Sequence, residues 1–281
     1  MHIPAISQKQ VIANFPKRPR DSHKGLFGTV AVIGGATGMI GAPLLAARAA
    51  LKLGTGCVHV GLLAENAPGV DLLQPELMLH PASDALQLPG VDVIAIGCGL
   101  GHDKAAQKLL QDALHGKAAL VLDADALNIL AQRADLHHLL LARHSATLFT
   151  PHPGEAARLL GCGIDEVQAD RAGTVRKLAQ KFNASVVLKG ASSLCTTRDG
   201  KLSVNNTGNP GMSGPGMGDV LTGMIAAFIA QGMPADDALL LAVHLHGAAG
   251  DALAGQGISV GMTASDVTEW ARWLLNQWLR N

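Results

Sequence analysis

The sequence predicts an α/β protein in three layers, a largely parallel central sheet flanked on both sides by helices, and three features predict it. Short β-branched runs such as Thr29-Val-Ala-Val-Ile33 alternate with alanine- and leucine-rich stretches of helical period, the alternation that builds parallel sheets from strand–helix–strand units. Each loop of unusual composition up to Glu155 follows a strand, and in an open parallel sheet such loops share the edge where ligands bind. No linker interrupts the 281 residues, a length that one large α/β core accommodates. A single unit over residues 1–281 is expected, with about 20 N-terminal residues as a lead-in.

Taken in order, the 29–33 strand feeds Gly34-Gly-Ala-Thr-Gly-Met-Ile-Gly41 and a helix over 42–53. The glycine spacing is not G-x-G-x-x-G, and the lysine of a Walker A loop is missing. Close approach by a ligand and plain strand-to-helix packing both suit such a turn. Strands follow at 57–62, 76–79 and 91–96, the last ending in Gly97-Cys98-Gly99-Leu100-Gly101 ahead of a helix over 104–114. A strand at 119–122 ends at Asp123-Ala-Asp-Ala-Leu-Asn128, where Asp125 can cap a short helix. The 147–149 strand closes on Thr150-Pro-His-Pro-Gly-Glu155 before a helix over 156–160. A helix over 166–182 and a strand at 185–188 lead to Lys189-Gly-Ala-Ser-Ser193. A small β-hairpin near 194–205 then turns at Asp199-Gly200. Apolar helices over 220–231, 234–253 and 263–279 complete the chain. The last starts at a capping box with Asp266 in place of Glu or Gln, and Trp270 and Trp273 share a face as packing residues.

The stretch from Asn205 to Gly223 carries the chemistry. Five glycines between 208 and 218, with two prolines, rule out regular structure there, and the helix begins at the last glycine. Such a junction aims free backbone N–H groups and the positive end of the helix dipole at whatever lies in front, which suits a phosphate or a developing oxyanion. Asp219 is the acid of that first turn. A capping carboxylate is the plain alternative, but a cap does not need five glycines before it.

Composition narrows the function. Hydrophobic residues make up 48% and charged residues 16%, so helices must bury wide faces or meet another subunit, and a homo-oligomer is expected. Lys+Arg and Asp+Glu balance at 22 each, so bulk charge favours neither nucleic acid nor an acidic membrane. Residues 1–20 lack the apolar run of a signal peptide, and a cytoplasmic protein is expected. Cys57, Cys98, Cys162 and Cys195 lie far apart in apolar or glycine-rich contexts and are expected as buried free thiols.

The stretches at 34–41, 97–101, 123–128, 150–155, 189–193, 209–212 and 218–221 together resemble the ADP- or ATP-dependent NAD(P)H-hydrate dehydratases, enzymes of the ribokinase-like fold. The likeness runs from about residue 23 to the C-terminal helix, and seven ordered motifs are more specific than any one. Cys98 stands where proline is common, and Met217 where threonine is the frequent alternative; neither removes a polar catalytic group. The family often carries a fused epimerase domain, for which the stretch before residue 23 has no room, so a separate NAD(P)H-hydrate epimerase is the expected functional partner.

The resemblance implies a repair reaction. The S-epimer of hydrated NADH or NADPH is phosphorylated on its ring hydroxyl and then loses phosphate, giving NAD(P)H, AMP and phosphate, with ADP or ATP as co-substrate and Mg2+ as cofactor. Asp219 would accept the hydroxyl proton; its place at a helix N-terminus beside phosphates is expected to keep it ionised and weakly basic. Backbone N–H groups from Gly216 to Gly218 would hold the transferred phosphoryl oxygens. By position, Ala42, Gly101, His152 and Asp219 match residues holding the hydrated dinucleotide. Lys189, Gly190, Ala191, Ser192 and Ser193, with Gly218, match those binding the nucleotide. Glu155 falls where an acid organises magnesium through water. Each has a plainer reading: Lys189 as a surface lysine after an edge strand, His152 as a turn lock, and Glu155 as a helix-dipole partner. A homotetramer is the family's implied assembly. A small-alcohol kinase of the same fold, of the hydroxyethylthiazole type, would share Gly218-Asp219 and stop at phosphorylation; Thr150-Pro-His-Pro-Gly-Glu155 favours the dehydratase. A non-catalytic nucleotide-binding subunit is a further alternative, and the intact Asp219 argues against it.

Overall fold

The computed structural model describes residues 3–280; Met1, His2 and Asn281, the ends of the expected unit, lie outside the described residues. Along the chain come α1 (Gln8–Ile12), β1 (Thr29–Gly34), α2 (Gly41–Lys52), β2 (Cys57–Leu62), β3 (Met78–Pro81), α3 (Ala82–Gln87) and β4 (Val93–Ile96). They continue as α4 (Lys104–His115), β5 (Ala119–Leu122), α5 (Ala124–Gln132), α6 (His137–Leu141), β6 (Thr147–Phe149), α7 (Pro153–Leu160), α8 (Ile164–Ala169) and α9 (Arg171–Phe182). The chain closes with β7 (Ser185–Leu188), β8 (Leu194–Thr196), β9 (Leu202–Val204), α10 (Met217–Ala230), α11 (Ala235–Gly255) and α12 (Ala264–Trp278).

The strands form one sheet in the order β3-β2-β1-β4-β5-β6-β7-β8-β9. Pairing is parallel from β3 to β7, with Val30 beside both Val58 and Val93, and antiparallel from β7 through β9, where Cys195 faces Val187 and Ser203. The expected hairpin therefore extends the main sheet. Alternate strand residues serve two cores: Val30, Val32, Val58 and Val121 face α2, α10, α11 and α12, while Ala31, Ile33, Leu120 and Leu122 face α3 to α9. Burial on both faces explains why the strands read as unbroken apolar runs. The lead-in is not loose: Ala5 bridges Val204 in parallel and Ile6 N–H donates to the Val204 carbonyl at 2.9 Å, pairing part of the β9 edge. α11 is long and apolar enough to cross a membrane by composition, but 67% of its apolar window is buried inside the fold, as a core helix requires.

Several boundaries differ from expectation. The third strand is Met78–Pro81, two residues later than its pattern suggested. The 166–182 helix is two helices, broken at Asp170 (φ −137°, ψ 70°), whose carboxylate caps α9 by accepting the Gly173 N–H. α7 begins at Pro153, which suits a first helical position because its missing N–H would be unpaired anyway. Asp123, not Asp125, stands at the start of α5. The glycine-rich stretch holds a one-turn 3-10 helix, Pro210–Met212, and α10 starts at Met217, earlier than the last glycine. Among the cysteines, Cys98 and Cys195 are buried as expected, whereas Cys57 and Cys162 are only partly so. Trp270 packs on the core, but Trp273 is exposed and meets it edge-on.

Candidate active site

The ends of β1, β4, β5, β6 and β7 bring their loops to one edge of the sheet, where α10 begins. The loops after β1 and β4 are laced together, Gly35 N–H donating to the Cys98 carbonyl at 3.2 Å and Ala36 N–H to the Gly99 carbonyl at 2.7 Å. This lacing carries the start of α2, with Ala42, next to the 97–101 loop. Gly101 is held in turn by Asp125, whose Oδ2 accepts its N–H at 2.8 Å while Oδ1 lies 3.0 Å from His102 Nε2. Asp125 thus positions a loop and does not cap its own helix.

At the end of β5, Asp123 is 1% exposed. Its Oδ1 pairs with Lys189 Nζ at 2.7 Å and its Oδ2 accepts the Thr222 hydroxyl of α10 at 2.9 Å. Burial alone would raise the Asp123 pKa, but Lys189, together with the Thr150 and Thr222 hydroxyls, holds the carboxyl below its usual range. Burial would lower Lys189, yet Asp123 and Glu155 together keep the ammonium above its usual value. Lys189 follows β7, which lies between β6 and β8, so it is no surface lysine after an edge strand.

His152 and Glu155 form a capping box on α7. His152 Nδ1 accepts the Gly154 N–H at 3.0 Å, and Glu155 Oε2 accepts the His152 N–H at 2.7 Å. His152 Nε2 lies 3.3 Å from Glu155 Oε1, and Lys189 Nζ is 4.0 Å from Glu155 Oε2. The imidazole is pushed below its usual pKa by burial and by the charges of Lys189 and Arg158. Burial, only partly opposed by Lys189, pushes the Glu155 carboxyl up to about 7.

Asp219 lies in the first turn of α10, behind Gly216, which enters the helix at φ +84°. At Gly218 a Cβ would sit 3.2 Å from Lys189 Nζ and 3.5 Å from Asp123 Oδ2; the bare backbone lets the ion pair approach the helix start. The Asp219 carboxyl is a stronger base than its helix-end position suggested, though still on the ionised side at neutral pH. Burial pushes its carboxyl up to about 6, against the pull of the Cys98 thiol and Lys189 and with the push of Asp123 and Asp125. The result is a better base. Ligand atoms of Cys98, Asp123 and Asp219 lie within 4.8 Å of one another. The two carboxylates suit a hard cation such as Mg2+, but the thiol does not; both Glu155 oxygens contact His152.

A cavity of about 540 Å³ opens beside this cluster, lined by the 189–193 loop, by Asn205 to Pro210, by Met217 and Gly218, and by Val243, His246 and Gly247 of α11. A second, of about 720 Å³, opens by the ends of β2 and β3 and the start of α4. The structure so brings Gly218 and the 189–193 stretch to one cavity, whereas Asp219 lies outside its lining, against Cys98 and Asp123, with Gly216 just ahead of it; Glu155 and His152 are tied in through Lys189, and Ala42 and Gly101 line neither cavity. Sequence reasoning left Asp123, Thr222 and His246 without roles. A carboxylate directly after the buried strand 119–122 was a usable signal for Asp123, since a buried charge demands a partner; Thr222 and His246 sit inside apolar helices and gave none.

The sheet order and the loops gathered at its carboxyl edge place the protein among the enzymes of the ribokinase-like fold. The profile of the NAD(P)H-hydrate dehydratases matches residues 30–272. An ADP-dependent (S)-NAD(P)H-hydrate dehydratase of Neisseria meningitidis is 43% identical over 98% of this chain and 97% of its own length. The bifunctional NAD(P)H-hydrate repair enzyme Nnr of Coxiella burnetii is 40% identical over 96% of this chain, which spans 55% of that longer protein. The ADP/ATP-dependent NAD(P)H-hydrate dehydratase of Bacillus subtilis, co-crystallised with ATP/Mg2+, superposes with a TM-score of 0.88 at 29% identity over 99% of both chains. The chain belongs to the NAD(P)H-hydrate dehydratase family.

Proposed function

We propose that the protein dehydrates the S-epimer of hydrated NADH or NADPH, using ADP or ATP, and restores the reduced cofactor. The observation that carries this reading is the placement of Asp219, a carboxyl raised to about 6, at a glycine-lined helix start beside the Lys189–Asp123 pair. Hydroxide is a poor leaving group, so the ring hydroxyl is first made a phosphate ester. Its oxygen forms the new P–O bond to the terminal phosphorus while the bond to the rest of the nucleotide breaks, leaving AMP when ADP is used. Asp219 takes the hydroxyl proton, and a carboxyl near 6 is both largely ionised at neutral pH and basic enough to hold it. The N–H groups from Gly216 to Gly218 and the Lys189 ammonium stabilise the charge on the moving phosphoryl group. In the second step the C–O bond breaks with its electron pair leaving on phosphate, the ring nitrogen supplies electrons to the vacated carbon, and the neighbouring carbon loses a proton to close the double bond.

Ala42, Gly101, His152 and Asp219 hold the hydrated dinucleotide in this reading, and Lys189, Gly190, Ala191, Ser192, Ser193 and Gly218 hold the nucleotide. Magnesium bound with the nucleotide would supply neutralising charge at the phosphates, and Glu155 would hold it indirectly, through water. The protein works in the cytoplasm as a homotetramer of single-unit subunits, alongside an NAD(P)H-hydrate epimerase. Support comes from the family membership, from the near-complete overlap with the Neisseria dehydratase and from the apolar composition. Incubation with NADPH hydrate, magnesium and either ADP or ATP is expected to restore reduced-nicotinamide absorbance. Absence of turnover with both nucleotides, together with phosphorylation of a small alcohol, would move the assignment to a kinase.

A further inference from the structure

Three buried side-chain polar atoms among the described residues lack a hydrogen-bond partner: Thr55 Oγ1, Thr196 Oγ1 and His246 Nε2. Of the three residues, His246 lines the cavity bounded by Lys189, Gly218 and the 189–193 loop, and neither threonine lines that cavity or the one by β2 and β3. An unpaired buried ring nitrogen is costly, of order 1–3 kcal/mol, which makes its retention at a cavity wall informative. The histidine two residues earlier in α11 shows the contrast. His244 bonds Asn205 Oδ1 at 3.2 Å and stacks near Trp278, so its polar needs are met inside the fold. The wall around His246 is also rigid: Thr207 donates to the His244 carbonyl at 2.9 Å, and Asn205 Nδ2 donates to the Val243 and Thr207 carbonyls.

We infer that His246 Nε2 is a hydrogen-bonding contact for the nucleotide co-substrate, a residue that sets nucleotide affinity beyond the 189–193 loop and Gly218. The inference rests on the nucleotide-dependent reading above. Burial pushes the imidazole down to about 4, against the upward effect of the Met217 backbone and with a smaller downward effect of Lys189, so the ring meets its ligand neutral. A neutral imidazole nitrogen pairs with a ribose hydroxyl, the adenine amino group or a phosphate oxygen according to its tautomer, and nucleotide analogues separate these.

The experiment measures ADP binding by calorimetry for the wild type, His246→Phe, which keeps ring volume, and His246→Asn, which keeps a polar partner. His246→Phe is expected to weaken ADP about tenfold, one hydrogen bond converted at 1.4 kcal/mol per decade, and His246→Asn to recover part of it. The KM for the hydrate should stay close to wild type, and the melting temperature of His246→Phe should not fall, because the unpaired nitrogen goes with the substitution. Repeating the titrations with 2′-deoxy-ADP, IDP and AMP identifies the partner, because deleting the contacted group weakens the wild type but not His246→Phe. Unchanged ADP affinity in His246→Phe overturns the inference, as does a loss of the same size for every analogue, which would mark an effect through the fold. Should His246→Phe fail to fold, the analogue comparison with His246→Asn decides in the same way. A wild type that binds ADP but does not dehydrate the hydrate overturns the dehydratase reading alone, whereas one that binds neither ADP nor ATP overturns both.

Discussion

At the scale of single residues, the site rests on three carboxylates whose surroundings set them apart. Asp123 is kept ionised by Lys189, while Asp219 and Glu155 are raised by burial to about 6 and about 7. Asp219→Asn keeps a good capping side chain but removes basicity, so hydrate turnover should fall by roughly 10²–10⁴-fold while ADP affinity measured by calorimetry stays near wild type. Near-normal turnover in a folded variant would sink the mechanism. The raised pKa fixes two pH effects. Turnover per KM should fall as pH drops below about 6, where Asp219 becomes protonated. The stability contribution of Asp219 is present below the ordinary carboxylate value and lost as pH rises through about 6, so Asp219→Asn should gain most in melting temperature at pH 8. Lys189→Met tests the opposite case. It leaves Asp123 charged and buried without its partner, and denaturant melts should show a loss of about 3–5 kcal/mol; unchanged stability would mean the pair does not hold the loops together.

Among the elements, α10 and α2 decide whether the helix start can reach the site. A Cβ on Gly223 would lie 2.0 Å from the Ala46 carbonyl oxygen of α2, so Gly223→Ala must push the helices apart. It should destabilise by about 1–3 kcal/mol or more despite alanine's better helix propensity; a rise in melting temperature would show the contact is not tight. The layers and the strand order of parallel units were legible because apolar runs and glycine breaks alternate strictly as far as Leu188. The failures have local causes. Gly216 in the left-handed region lets Met217 begin α10 inside a stretch whose glycines argued for coil, and Asp170 breaks a continuous helical pattern with a turn that its own side chain caps. Asp219, Lys189 and the glycine loops were legible because their residue types are unusual where they stand. His246 was not, since a histidine in an apolar helix shows its unpaired nitrogen only once α11 is placed against the loops.

At the scale of the whole molecule, one chain leaves large apolar side chains uncovered. Leu72 and Leu73 are 87% and 77% exposed, and Trp273 is 53% exposed. The loop bearing the leucines is nonetheless fixed. Asp71 beneath it is buried and takes two hydrogen bonds from Arg48 of α2, both at 2.7 Å, while its Oδ1 also accepts the Leu73 N–H at 3.0 Å. α12, carrying Trp273, is tied to α2 through the Lys52–Glu269 pair, so loop and helix are anchored to the same element. A bidentate, largely buried ion pair spent on holding leucines toward water makes sense when another surface covers them. Light scattering should therefore find a symmetric homo-oligomer, with four subunits expected. The paired change Leu72→Ser and Leu73→Ser should lower its mass toward that of the single 28.9 kDa chain without loss of helical circular dichroism, because neither side chain belongs to a core. A wild type that stays monomeric across concentrations would refute the assembly. An oligomer untouched by the paired change would place the interface elsewhere and leave the exposed leucines unexplained.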